Sequence, residues 1–391
     1  MASMRPVHEH STGCRALCER PALGFGKVSQ VSMLRTRLLT AVFAATSLAL
    51  LGGCGSDAVE EKPPAPPPED PVGLLPPEEP AGLAACEGAG KVMAMSELFL
   101  GDVDRDGTPN TKDGWKAFGY DLDGRASTKE SVGLCKPRAG GSPAVVYPDG
   151  TDGRDNSFGK NILPTILTLS MDLSTQANEA ITNGEFTIML DMSSLGTSAD
   201  CNSLPAKLYG GADLGAAPKW DGTDQWPLIP ELLNDPADPA SAKILFPKSY
   251  VVKNTWVSGT KGTVKLSLSI SGFTIALDIN SAVITVDLDA DRNGGTNGTI
   301  AGVLETEALI SEISKVAAAF DESFCDPTSP TLQSILNLIR QASDIMKDGT
   351  QNPGAECDGI SIGLGFNAKA VQLGPVAMPG EPPPDPCAPM P

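Results

Sequence analysis

TVKLSLSISGFTIALDINSAVITVDLD, residues 263–289, alternates apolar and polar side chains almost without a break. Successive side chains on a β-strand point to opposite faces, so period-two alternation marks strands with one buried face. The runs read as strands at 263–270, 272–279 and 282–289, with Ser271-Gly272 as a turn between the first two. Working outward, 249–257 is a further run upstream, ended by Ser258-Gly259. Downstream, Asn293-Gly294-Gly295 precedes GTIAGVLE at 298–305. Closely spaced antiparallel strands of this kind predict a mainly β fold with a few helices (α+β), as a β-sandwich or a curved sheet.

The helices flank the strands. Leu163, Ile166, Leu167, Leu173, Ala177 and Ile181 recur at helical spacing, which predicts one helix over 162–182 that stops near Asn183-Gly184. A strand follows, with Phe186, Ile188, Leu190 and Met192 on one face. Two helices near the C-terminus carry the stripes Leu309, Ile313, Val316, Phe320 and Leu332, Ile335, Leu336, Ile339, Ile345. Ser329 caps the second of these, with Pro330 at its first turn. A last strand spans 359–372. Residues 85–160 and 195–245 show little periodicity and read as ordered loops, the former rich in Asp and Gly. The expected domain therefore covers 161–378, with a Pro-rich tail at 379–391.

LLTAVFAATSLALLGGC, residues 38–54, follows Arg35 and Arg37 and is too short to span a membrane as a helix. A basic flank, a short apolar core and small residues before a cut describe a secretory signal. Residues 1–53 are read as an over-extended start, up to about Met33, followed by that signal. Residues 54–84, with nine prolines after Cys54, read as a polyproline tether.

From Cys54 onward the chain holds 23 basic and 46 acidic residues. Such a charge disfavours nucleic acid, whose binding needs Lys and Arg at phosphates, and suits divalent cations. His8 and His10 are the only histidines and both precede Cys54. Ser-His-Asp, Cys-His and His-ligated zinc sites are thereby excluded from the mature chain. Carboxylate chemistry and oxygen-ligated cations remain. Six cysteines follow the anchor: Cys86, Cys135, Cys201, Cys325, Cys357 and Cys387. An even number in an exported chain reads as three disulfides. The expected pairing joins Cys325 to Cys357, Cys86 to Cys387 and Cys135 to Cys201.

The strongest local motif is GDVDRDGTPNTKDGW, residues 101–115. Asp102, Asp104 and Asp106 stand at positions 1, 3 and 5, Asn110 at 9 and Asp113 at 12, with Gly107 at the sharp turn. Ca²⁺ takes six to eight oxygens, and this spacing curls such ligands about one centre. Two more acidic loops, one with Asp121, Asp123, Gly124 and Glu130 and one with Asp149, Asp152, Asp155 and Asn156, read singly as turns. Trp220 and Trp226 bracket the polar loop WDGTDQW, where paired aromatics either pin the loop to the core or contact a sugar.

LGGC at 51–54 resembles the lipobox of bacterial lipoproteins, which implies acylation of Cys54, cleavage before it and outer-membrane sorting. The loop at 101–115 resembles a dockerin or thrombospondin-type calcium loop, although Pro109 and the lack of a second matching loop depart from the dockerin pattern. FGYDLDGRAS, DGRDNSFGKNILP and CDGISIGLGFNA, with the lipobox, are similar to uncharacterised lipoproteins of myxobacteria. Together these readings predict a lipid-anchored, non-enzymatic envelope module stabilised by calcium and disulfides. Its expected partners are the membrane and another envelope protein or a polysaccharide. The alternative is a carbohydrate-active protein, as a sugar-binding module or a carboxylate-pair hydrolase.

Overall fold

The computed structural model describes residues 69–169, 172–259, 261–270, 273–319, 322–379 and 387. The expected signal, the expected lipidation residue Cys54 and the first part of the expected tether lie outside the described residues. In chain order the elements are β1 (Lys91–Phe99), α1 (Pro143–Val146), α2 (Leu163–Leu169), α3 (Leu173–Asn183), β2 (Thr187–Met192) and β3 (Cys201–Gly211). Next come β4 (Gln225–Leu228), β5 (Ile244–Val252), β6 (Thr255–Val257), β7 (Gly262–Ile270), β8 (Phe273–Leu288) and β9 (Gly294–Glu305). The chain closes with α4 (Thr306–Val316), α5 (Pro330–Gln341) and β10 (Gly359–Val376).

The ten strands form one strongly curved sheet, so of the two architectures expected the curved sheet is the one adopted. Its ladder runs β10-β1-β2-β3-β5-β6-β8-β9 and returns to β10, antiparallel throughout. Two strands lie off this circuit. β7 extends the outer half of β8, and β4 runs parallel to the end of β10.

The alternation at 263–289 shifts phase after residue 279, and β8 shows why. The two strands expected at 272–279 and 282–289 are one 16-residue strand. Its register slips between Asn280 and Val283, and Ser281 sits at φ 49°. A bulge inserts one extra residue and flips the facing pattern, so Ile279, Ala282 and Ile284 all reach the core. The sequence signals a break there; the strand answers with a bulge.

β1 and β3 fall in stretches read as loops. Met93, Ala94 and Met95 are buried consecutively because β1 is covered on both faces, and such a strand has no alternation to detect. β3 carries Pro205 and Gly210-Gly211, residues that read as breakers. The helix expected over 162–182 comprises a π-turn at Phe158–Ile162, then α2 and α3. α3 buries Leu173, Ala177, Ala180 and Ile181 and ends on Gly184 at φ 84°, the left-handed conformation that glycine adopts without strain. α5 starts at Ser329-Pro330 as expected, although the Ser329 side chain makes no capping bond.

The main core fills the concave face, drawing on the circuit strands and on α3, α4 and α5. A second cluster on the opposite face joins Tyr120 and Leu122 to Val283, Ala301 and Val303. The Asp/Gly-rich segment therefore lies on the outer face of β8 and β9. The last part of the Pro-rich stretch lies there too. Leu74 N–H donates to Asp152 C=O, Ala126 N–H to Pro71 C=O and Tyr250 O–H to Pro77 C=O. From residue 69 on it is docked rather than free, because its extended backbone finds loop partners.

The disulfides differ from the expected pairing at every position. They join Cys86 to Cys201, Cys135 to Cys357 and Cys325 to Cys387. The expectation paired neighbours around the last helix and the two chain ends. The curved sheet instead sets residue 86 beside β3, where Cys86 N–H bonds Asn202 C=O, and sets the 135 loop beside the start of β10. Three such bonds belong to an oxidising compartment.

Candidate metal centre

FGYDLDGRAS, DGRDNSFGKNILP and CDGISIGLGFNA, far apart in sequence, meet at one place. Asn156 is the joint: its Nδ2 donates to Trp115 C=O and Gly363 C=O, and its Oδ1 accepts from Gly159 and Gly363 N–H. Gly363 and Gly365 of β10 permit this approach. A Cβ on Gly365 would lie 2.1 Å from the Phe118 ring, and one on Gly363 would lie 2.6 Å from Phe118 backbone. Asp155 N–H bonds Tyr120 C=O, which fixes the 119–124 loop beside the 153–156 loop.

That pairing brings the carboxylates of Asp121, Asp123 and Asp155 together, each offering an oxygen within 4.8 Å of the others. A triangle of that edge has corners about 2.8 Å from its centre, close to Ca²⁺–oxygen distances of about 2.3–2.6 Å. The three residues can hold a metal ion. Asp121 and Asp155 are buried and Asp123 is half-buried.

Backbone N–H groups hold the ring in place. Asp121 accepts from Gly73 (2.6 Å), Gly124 (2.6 Å) and Arg125 (3.0 Å). Asp155 accepts from Leu122 at 2.7 Å, and Asp123 from Arg125 at 2.9 Å. Gln351 Nε2 donates to Asp123 at 2.7 Å and to Asp344 C=O, while its Oε1 accepts from Cys135 N–H. The Cys135–Cys357 bond thus fastens the C-terminal segment to the loops.

Two further carboxyls crowd the ring. Asp149 lies beside Asp155 and accepts from Ser127 N–H. Asp344 accepts from Ser361 N–H at 2.8 Å and Ser361 O–H at 2.5 Å. Burial, which penalises a charged carboxylate, raises Asp123 to about 6, Asp344 to about 7 and Asp149 to about 8. It pushes Asp155 well above the usual range, with the charges of Asp149, Asp123 and Asp344 adding to the effect. Burial likewise lowers nearby Lys160 to about 8, against the pull of Asp344 and Asp149. Ser127 Oγ, beside Asp149, is buried with no partner. Oxygen donors, acidic excess and an orphaned hydroxyl suit a hard divalent cation.

The loop at 102–113 is arranged differently. Asp106 accepts from Thr108 N–H, Asp113 pairs with Lys116 at 2.6 Å, and Asn110 bridges Asp104 and the Asp113 N–H. Asp102, Asp104 and Asp106 do not converge as the other three do. Asp102 Oδ1 is buried without a partner. Trp226 is fully buried in β4, and Trp220 packs 6.1 Å from it, half-buried. The pair is a loop anchor, and Trp226 has no face to offer a sugar.

Sequence reading named Asp121, Asp123 and Asp155 but set them in two separate turns. The signal that unites them is the shared Asp-x-Asp-Gly and Asp-Gly-x-Asp-Asn chemistry of loops some thirty residues apart. Asp344, on neither loop, carries no such signal. Compared with protein-family models, curated proteins and solved structures, the chain shows no match.

Proposed function

We propose that this chain is a lipid-anchored module of the cell envelope that acts by binding or by structure, with a calcium ion at Asp121, Asp123 and Asp155. The convergence of three carboxylates from two loops, walled in by Asp149 and Asp344, carries the reading. A cation there offsets the burial and the neighbouring charges that raise Asp123 and Asp155, and it ties the 119–124 loop to the 153–156 loop. The three disulfides fit an exported protein, and no described helix is long and apolar enough to cross a membrane. The anchor rests on the lipobox-like LGGC at 51–54.

Elemental analysis of the exported protein, dialysed against metal-free buffer, tests the cation. One calcium per chain is expected, lost on Asp121→Asn with Asp155→Asn; protein free of divalent metal refutes the site. Cys54→Ala tests the anchor separately. It should leave unprocessed precursor, and unchanged cleavage and membrane fractionation would refute the lipoprotein assignment.

A further inference from the structure

Residues 69–77, the docked end of the Pro-rich stretch, lie as a strap across both loops that supply the acidic ring. Asp121 N–H donates to Leu74 C=O at 2.8 Å, and Asp121 Oδ2 accepts from Gly73 N–H at 2.6 Å. On the other loop, Asp152 C=O accepts from Leu74 N–H at 2.7 Å. Gly73 is wedged between the two. A Cβ there would stand 2.7 Å from the Gly153 carbonyl oxygen, 2.8 Å from that of Asp152 and 3.0 Å from Asp121 Cβ. Flanking contacts fix the ends. The Asp70 carboxylate accepts from Arg125 Nη2 and Ser131 Oγ, each at 2.8 Å. Pro71 C=O accepts from Ala126 N–H, and Pro77 C=O from Tyr250 O–H at 2.6 Å.

Apolar burial contributes little to this strap. Val72 is 61 % exposed, Leu75 42 % and Leu74 37 %. A surface segment held by hydrogen bonds, with little buried apolar area, opens at low local free energy. Beneath it, Asp155 N–H to Tyr120 C=O and Leu122 N–H to the Asp155 carboxylate join the two loops. A cation held by Asp121 and Asp123 on one side and Asp155 on the other is a further tie between them. The strap, bonded to Asp121 and to Asp152, ties the same two loops. Strap and cation therefore favour one arrangement. Two binding events that favour the same state strengthen each other by the same factor.

We propose that the cation gates the strap: with calcium bound, residues 69–77 stay docked, and without it they open as one unit. This rests on the cation reading above and adds what the ion controls. Released, residues 69–77 would lengthen the stretch leading to Cys54 by roughly 28 Å, at about 3.1 Å per residue. The ion would thereby set how far the folded body stands from Cys54.

Hydrogen exchange of the exported protein with calcium and with chelator tests this, with metal content measured on the same samples. Where only the docked state holds the ion, protection scales as 1 + [Ca]/Kd. Chelation from a hundredfold excess over Kd should therefore lower protection at Gly73 and Leu74 about hundredfold. The Gly107 and Asn110 amides, bonded within the 102–113 loop, should not change. Gly73→Val unseats the strap and should weaken calcium binding at least about fivefold. Tyr250→Phe removes only the Pro77 contact and should lower protection at Leu74 about fivefold, since the strap opens as one unit. Leu74 protection unmoved by Tyr250→Phe would overturn opening as a unit. Protein that holds one calcium yet keeps the protection of Gly73 and Leu74 on chelation would overturn the gating and leave the cation standing. Protein that holds no divalent metal would overturn both.

Discussion

Two acidic segments of this protein invite the same ligand on different grounds. Residues 102–113 satisfy a calcium-loop spacing within twelve residues, yet Asp104 and Asp106 bond within their own turn, Asp113 pairs with Lys116, and Asp102 does not converge with them. Asp121, Asp123 and Asp155 satisfy no such spacing, yet their oxygens converge in a buried setting. Spacing along the chain proposes ligands. What makes them a site is whether packing turns their oxygens toward one another and away from water.

The largest contrast between the two should appear with pH in metal-stripped protein. Asp123, Asp149, Asp155 and Asp344 have folded-state pKa values raised above their unfolded ones, with Asp121 and Lys160 as their charged neighbours. Stability from a raised acid is present in full below its unfolded pKa near 4 and is lost as pH climbs through the folded value. Thermal melts should therefore show the stripped protein weakening steadily from pH 5 to pH 8.5, and calcium should restore most of the loss at the alkaline end. A flat profile would place these carboxyls in water. The 102–113 loop, with Asp106 and Asp113 exposed, contributes nothing to that slope.

Removing the Cys135–Cys357 bond comes next. Cys135→Ser with Cys357→Ser should cost about 2–5 kcal/mol in denaturant unfolding and should weaken calcium binding, since the bridge positions Gln351 against Asp123. Removing Cys325–Cys387 should leave calcium affinity unchanged. Gly365→Ala drives a Cβ into Phe118 and should cost about 1–3 kcal/mol, as overpacking does. The smallest effect belongs to the other loop. Asp106→Ala, at a fully exposed group, should leave the melting temperature within error.

The strands at 263–289 and 298–305 were legible because apolar and β-branched runs stand between turn residues, although 282–286 and 298–304 are buried on both faces. β1 was not, since Met93, Ala94 and Met95 are buried in succession and leave no period. The disulfide partners were not either, because pairing depends on how far the sheet curves. At the site, each aspartate stood in an acidic loop that could be named, but Asn156 packing on Gly363 is what closes the ring. Asp344 enters from a turn after α5, and burial of a lone acid leaves no pattern in sequence.

The most direct measurement is differential scanning calorimetry at pH 8 with calcium and with chelator, on wild type, Asp155→Asn and the double variant Asp104→Ala with Asp106→Ala. Calcium at a hundredfold excess over Kd should stabilise wild type by about 2.7 kcal/mol. The account predicts that the double variant keeps this response and that Asp155→Asn melts at the same temperature with or without calcium. A response kept by Asp155→Asn and abolished in the double variant would contradict it and return the ion to residues 102–113.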